Sequence, residues 1–503
     1  MNMEIISEID RNAALHPERI AYDYLGQQNT YGELKAASDA IAANITARYL
    51  DRKRPIMVYA DQQFTTIAAF LGCVKAGHAY IPVDTHSPNE RLTMIAEIAQ
   101  PVLTIATAAL SVELSMPIMS PTELAMCIQN PEQQPKVQLQ PVSGDENFYI
   151  IFTSGTTGQP KGVQISSTNL RSFTDWMRDF KLPQQPRFLV QAPYSFDLSV
   201  MSLYPTLLAG GTLVVLPRAE SENLGTMFKL LPSLHLDVWV STPSFMAMCL
   251  LDNNFTAAHY PELKQIFFCG EELTNQLAST ILERFPDVEL YNTYGPTETT
   301  VAVTAVQITQ ALLQQYSRLP IGYAKADTTI SLVTDAPAGT EGELLISGPS
   351  VSRGYINRPE KTAAVFSTQG GKRSYRSGDL GTIAADGLVF YHGRTDFQIK
   401  MNGYRIELEE VNHFLNASKY IKQGVAIPRY GADHKVKQLL AYIVPEAGAL
   451  SGTQLTVAIK AELKQMMMAY MIPQRFVYRD QLPLTANDKV AIKALISEVN
   501  DHA

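Results

Sequence analysis

Short apolar runs separated by helix-length amphipathic stretches recur along most of this chain, and that alternation limits its possible folds more than any other feature. PIMVYA (55–60), AYIPVD (79–84), FLVQAP (188–193), GTLVVLP (211–217), DVWVSTP (237–243), QIFFCG (265–270) and VELYNTYG (288–295) each read as a strand. Between them, Tyr31 to Ala47 and residues 64–77 carry apolar residues at helical spacing, the second stretch stopping at Gly77. Strands that alternate with helices predict a largely parallel α/β sheet covered on both faces. No short repeat of fixed period is present, which sets solenoids and propellers aside.

A chain of 503 residues allows about three domains, or two if one is large. With 46% hydrophobic and 18% charged residues it can bury a sizeable core, so extended disorder is excluded. The balance of 41 basic against 49 acidic residues, a net charge of −8, argues against a whole-surface electrostatic grip on nucleic acid. Cys73, Cys127, Cys249 and Cys269 lie far apart and form no CxxC pair. Neither a disulfide framework nor a zinc knuckle fits them; a reducing cytoplasm does. The N-terminus lacks the basic-then-apolar order of a signal peptide. Leu198 to Pro217 is free of charge, yet it contains Pro205, Gly210 and Gly211. The expectation there is a buried helix, a Gly-Gly turn and a core strand rather than a membrane span.

Charge shifts near residue 396. Before Phe397 there are 28 basic and 39 acidic residues; from Phe397 onward there are 13 and 10. The basic tail reads as strand (FQIKMNGYRIE), helix (LEEVNHFLNAS), strand (GVAIPRY), strand (QLLAYIVPE) and an amphipathic helix from Leu455 to Met468. Residues 1–395 are therefore expected to form a large domain and 396–503 a small α+β one.

The densest chemical signal is TSGTTGQPKG, Thr153 to Gly162, directly after the apolar run FYIIF. Its glycines let backbone amides approach an anion, and its hydroxyls and Lys161 add donors for phosphate oxygens. It does not match the GxxxxGK[ST] phosphate loop. Other strings stand in order around it: TYGEL (30–34), LGCVKAGHAYIPVD (71–84), YSFDLS (194–199), YNTYGPTETT (291–300), GELLISGPSVSRGY (342–355), YRSGDL (375–380), GRTDFQIKMNGYRIELEEV (393–411), YMIP (470–473) and PLTANDKV (483–490).

This ordered set resembles the core motifs of the adenylate-forming (AMP-binding) superfamily, from residue 30 to 490. The resemblance implies an α/β fold. It has a large N-terminal adenylate-forming domain, with parallel sheets flanked by helices and a small β-rich part. A small mobile C-terminal domain follows, turning on a hinge near Asp396. It also implies ATP and Mg²⁺. Thr153, Ser154, Thr156, Thr157 and Lys161 would hold phosphates, and Asn292, Thr293 and Tyr294 would line the nucleotide, with Tyr294 against the adenine. Thr297 would sit near the α-phosphate and Glu298 would hold Mg²⁺, a hard cation that prefers carboxylate and phosphate oxygens. Asp379, assisted by Arg394, would receive the ribose hydroxyls. Lys489 is the implied catalytic residue, a point charge between substrate carboxylate and α-phosphate. The family usually has Asn-Gly-Lys there, whereas this chain has Asn487-Asp488-Lys489. Lys400 to Gly403 would line the approach of a thiol in the second half-reaction.

Within the superfamily, Asp197 of YSFDLS would pair with an α-ammonium and so select amino acids over fatty or aryl acids. The motifs put Leu198, Met201, Phe267, Cys269, Thr293, Val301 and Ala302 around the side-chain space, which implies a small apolar side chain. YSFDLSVMSLYPTL and FFCGEEL carry a closer resemblance to stand-alone members that activate D-alanine and load it onto a carrier-protein thiol. That reaction is the first step of (lipo)teichoic acid D-alanylation. The implied partners are D-alanine and a small, acidic, phosphopantetheinylated carrier protein, in the cytoplasm, with no membrane insertion. The alternatives are another small amino acid, free coenzyme A as acceptor, or a non-catalytic nucleotide sensor.

Overall fold

The structure, a computed structural model, describes residues 3–49, 51, 54–155, 159–334, 336–431, 435–446, 448, 450–483 and 490–500. They fall into two compact units. One comprises Met1–Thr85, Ile98–Phe152 and Gly162–Gly393, the other His86–Glu97, Thr153–Lys161 and Arg394–Ala503.

In the larger unit the apolar runs form a nine-stranded sheet. Its order is Tyr323–Ala324, Thr304–Ile308, Glu289–Tyr294, Gln265–Phe268, Val238–Ser241, Arg187–Val190, Thr212–Val215, Ile20–Tyr24 and Gln27–Thr30. The inner pairs are parallel and the pairs at both edges antiparallel. Alternate residues enter opposite cores. Phe188, Val190, Val240 and Phe267 join one cluster, while Leu189, Trp239, Ile266 and Phe268 join the other. A parallel sheet buried on both faces has to read as continuous apolar runs, and these do. A second sheet places Ile56–Ala60 between Leu103–Ala106 and Tyr80–Asp84, in parallel. A five-stranded antiparallel sheet from Thr329–Leu332 to Val389–Arg394 is the small β-rich part.

Local signals set the helices. Thr30 and Glu33 form a capping box at the start of Tyr31–Arg48, and Ser120 and Glu123 do so before Pro121–Gln129. Residues 64–77 give the helix Phe64–Lys75, closed by Gly77 at φ +84°. Leu198 to Pro217 becomes the buried helix Leu198–Leu208, a turn with Gly210 at φ +65° and the strand Thr212–Val215. Among the described residues no helix is long and apolar enough to cross a membrane.

In the smaller unit the single strand expected over FQIKMNGYRIE is instead a hairpin. Gln398–Met401 pairs with Tyr404–Glu407 across Asn402 and Gly403, at φ +52° and +84°. Asn-Gly is the dipeptide that a tight hairpin turn demands, because both central residues need positive φ. The helix Leu408–Ala417 follows, then the antiparallel strands Ile421–Tyr430 and Val436–Pro445 and the helix Gly452–Met466. Two elements that the sequence reading lacked complete it: the strand Arg475–Tyr478, parallel to Val436–Pro445, and the helix Ile492–Asn500.

Candidate active site

In the larger unit the strand Glu289–Tyr294 and the turn after it carry the expected residues Asn292, Thr293, Tyr294, Thr297 and Glu298. Asn292 donates to the Pro320 carbonyl at 2.7 Å and Thr293 to the Phe268 carbonyl at 2.8 Å, so both tie this strand to its neighbours. The Tyr294 hydroxyl donates to Asp379 Oδ2 at 2.5 Å, and both side chains are buried. Burial, and then the Asp379 carboxylate, push the Tyr294 phenol well above its ordinary pKa, so it stays a donor at any working pH.

Past Tyr294 the chain is held in an unusual conformation. A Cβ on Gly295 would stand 2.6 Å from Ala302 Cα and 2.9 Å from the Val301 carbonyl oxygen, so this approach admits only glycine. Thr300 and Val301 sit at φ +64° and +70°. β-Branched residues rarely occupy the left-handed region, and such strain gathers where function requires it. The Thr300 hydroxyl, donating to the Ser350 carbonyl at 2.7 Å, helps hold the turn. Thr297 and Glu298 lie in the same turn, and Glu298 is 0% exposed. Its Oε1 accepts from the Tyr355 hydroxyl at 2.8 Å.

The described residues contain no group of three or more His, Cys, Asp or Glu able to cage a metal. A single fixed carboxylate nevertheless suits Mg²⁺, which keeps several waters and binds through one or two carboxylates plus substrate phosphates. Glu298 fits that description.

Asp197 precedes the helix Leu198–Leu208, and its carboxylate makes no capping hydrogen bond to it. Leu198, Met201, Phe267, Cys269, Val301 and Ala302 are all buried in one apolar cluster, which also holds Tyr294. Phe267 stacks on Tyr291 with ring centroids 4.9 Å apart, and Cys269 Sγ lies 3.6 Å from the Val301 carbonyl oxygen. Tyr149 belongs to this cluster too, with a buried hydroxyl that has no hydrogen-bond partner among the described residues. Burial, then Tyr80 and the Asp197 carboxylate, push its phenol well above the ordinary range.

In the smaller unit, Thr153 Oγ1 donates to the Lys161 carbonyl at 3.5 Å and Ser154 Oγ to the Arg405 carbonyl at 3.0 Å. A Cβ on Gly155 would stand 2.0 Å from the Gln159 carbonyl oxygen, so this turn too requires glycine. Its amide donates to Glu410 Oε2 at 2.9 Å, and Lys161 Nζ lies 3.6 Å from Glu407 Oε1. Arg394 grips Asp396 through two hydrogen bonds of 2.9 and 2.7 Å. Burial opposes ionisation of Asp396, yet Arg394 holds its carboxyl below the usual range. Thr156, Thr157, Asp488 and Lys489 lie outside the described residues.

Sequence reasoning missed Tyr355, Tyr149, Glu407 and Glu410. GYRIELEEV contains both glutamates, but nothing in the string ties them to a loop some 250 residues earlier. Only the string GPSVSRGY marks Tyr355 at all.

Residues 9–356 match the model of the AMP-binding enzyme family. A D-alanine–D-alanyl carrier protein ligase of Lactiplantibacillus plantarum is 56% identical over 508 residues, covering 99% of this chain and 100% of that protein. One of the same name from Streptococcus agalactiae is 47% identical over 509 residues, covering 99% of each. Among solved structures, the Vibrio cholerae adenylation domain AlmE, in complex with glycyl-adenosine-5′-phosphate, aligns with a TM-score of 0.82. It covers 99% of this chain and 98% of that one at 24% identity, a likeness of fold.

Proposed function

Because the chain belongs to the AMP-binding enzyme family, we propose that it is an ATP-dependent, AMP-forming ligase that activates D-alanine and passes it to a carrier-protein thiol. In the first half-reaction a carboxylate oxygen of D-alanine attacks the α-phosphorus of ATP in line. The bond to the bridging oxygen breaks, and pyrophosphate leaves with the electron pair. In the second, the phosphopantetheine thiolate attacks the acyl carbon of D-alanyl-adenylate and AMP departs, leaving a thioester.

The observation that carries the reading is Asp197, an acid at the head of a helix whose first turn supplies Leu198 and Met201 to an otherwise apolar cluster. A carboxylate there attracts an α-ammonium by a charge-assisted contact that an acid without an amine cannot make, and so favours amino acids. The buried set Leu198, Met201, Cys269, Val301 and Ala302 suits a methyl side chain. Tyr294 and Asp379 form one unit for the adenosine: the phenol orients the carboxylate, which receives the ribose hydroxyls. Thr153, Ser154, Thr156, Thr157 and Lys161 hold the phosphates, with Thr297 at the α-phosphate. Glu298, kept in place by Tyr355, would hold Mg²⁺, which would supply charge neutralisation on the phosphate oxygens when bound. Lys489 bridges the attacking carboxylate and the α-phosphate, and Asp396 with Arg394 forms the hinge of the 396–503 domain. The location is the cytoplasm, the acceptor is small and acidic, and the product feeds (lipo)teichoic acid D-alanylation.

The test is amino-acid-dependent ATP–pyrophosphate exchange with D-alanine, L-alanine, glycine, D-serine and a short fatty acid. Exchange dominated by D-alanine supports the reading. Exchange with the fatty acid and none with amino acids refutes the role of Asp197.

A further inference from the structure

The smaller unit brings two carboxylates to a loop built for anions. Gly155 gives its amide to Glu410 Oε2 at 2.9 Å, and the other oxygen of that carboxylate lies 3.6 Å from Arg91 Nη1. One helical turn earlier, Glu407 Oε1 lies 3.6 Å from Lys161 Nζ. Both glutamates are almost fully buried, at 1% and 3% exposure. Glu410 is the third residue of the helix that Glu407 caps. A carboxylate at that position commonly reaches back to the cap's own amide; this one reaches across to the loop instead.

Lys161 is one of the donors that the proposed function gives to ATP, and the Gly155 amide belongs to the same loop. A carboxylate is the closest side-chain equivalent of a phosphate edge: anionic, with two oxygens that accept from amides and cations. One backbone N–H cannot donate fully to Glu410 and to a phosphate oxygen together. Burial also pushes the Glu410 carboxyl above its ordinary pKa, against the pull of Arg91 and the Gly155 amide, so the seat is an expensive place to keep a charge without those partners.

We propose that Glu410 is a built-in competitor for the phosphate seat: its carboxylate occupies the Gly155 amide when no phosphate is there, withdraws for ATP, and returns to expel pyrophosphate. The inference rests on the reading of Thr153–Gly162 as the phosphate loop. Its consequence is that each bound phosphate group is weighed against an internal anion, which lowers apparent affinity by the fraction of molecules with the seat open. Release of pyrophosphate is thereby assisted, and the adenylate is drawn toward transfer.

The experiment measures the affinity of the full chain for inorganic pyrophosphate, with Mg²⁺ present, by titration calorimetry. Glu410→Gln keeps an acceptor but removes the charge, and Glu410→Ala removes both. The expected result is tighter binding in both variants, by about tenfold in Glu410→Ala and less in Glu410→Gln. Unchanged or weaker binding by variants that retain the wild-type melting profile overturns the proposal. A measurement on the unaltered chain covers the case in which a variant fails to fold. Saturating pyrophosphate should speed hydrogen exchange in residues 404–412, and unchanged exchange there overturns the proposal as well. Lys161→Ala separates the two claims. If it loses pyrophosphate binding while Glu410→Gln behaves as wild type, only the competitor falls; if it binds as wild type, the phosphate-loop reading falls and takes the competitor with it.

Discussion

Replacing Tyr294 with phenylalanine isolates one hydroxyl in the proposed nucleotide site. The ring is kept, so any stacking on adenine survives; the lost part is the 2.5 Å hydrogen bond to Asp379. Both residues are buried, so water cannot readily replace the donor. A hydrogen bond to a charged group contributes about 1.5–3 kcal/mol. If that loss falls on the ATP complex, kcat/KM for ATP drops by about 10- to 160-fold at roughly 1.4 kcal/mol per decade. ATP–pyrophosphate exchange measured against ATP concentration reads the drop, and 2′-deoxy-ATP identifies its cause. With a ribose hydroxyl gone, Asp379 has less to offer, and the gap between Tyr294→Phe and wild type should narrow. If the variant matches wild type with ATP, or the gap is equally wide with 2′-deoxy-ATP, the assignment of a phenol-oriented ribose acceptor is wrong.

Asp197→Asn should lower kcat/KM for D-alanine by a similar 10- to 160-fold, about 1.5–3 kcal/mol, while leaving the KM for ATP unchanged. A loss shared equally by both substrates would point to a structural role. Gly295→Ala drives a Cβ against the backbone of Val301 and Ala302, and overpacking of that kind costs about 1–3 kcal/mol. Thermal unfolding should show it as a lower midpoint, together with loss of exchange activity. A fourth prediction concerns pH. Burial opposes ionisation of Asp39, yet Lys75 and Lys35 hold its carboxyl below the ordinary value, and Lys75 Nζ is buried between Asp10 and Asp39 at 2.7 and 2.6 Å. A depressed carboxyl stabilises the fold above its unfolded pKa and loses that contribution as pH falls through the folded value. Asp39→Asn should therefore be less stable at pH 7, by about 1–2 kcal/mol because Asp10 remains and both acids are partly exposed. It should also lose less stability than wild type between pH 5 and 3 in chemical denaturation. Parallel acid limbs would contradict this.

The sheet strands were legible because parallel strands buried on both faces leave unbroken apolar runs, as PIMVYA and DVWVSTP do. Helix starts were legible where short polar pairs such as Thr30 and Glu33 mark them. The hairpin at Asn402–Gly403 was also written in the chain, but a run of alternating apolar residues on both sides masked it. The left-handed turn at Thr300 and Val301 was not legible at all. Residue type argues against it there, and only packing from Ser350 and the tight Gly295 approach over-determine it. Motifs pointed to Asp379, Glu298 and Asp197 one at a time. Their companions, Tyr294 for Asp379 and Tyr355 for Glu298, lie 85 and 57 residues away, and no period or spacing encodes such a pairing.

The most direct test of the central claim is acyl transfer itself. The purified chain is incubated with ATP, radiolabelled D-alanine and a small acidic carrier protein in its apo and phosphopantetheinylated forms. The account predicts label on the phosphopantetheinylated form alone, released by hydroxylamine, with one AMP formed per alanine transferred and L-alanine giving far less. Transfer to free coenzyme A in preference to the carrier, or AMP formation with no labelled thioester, would contradict it.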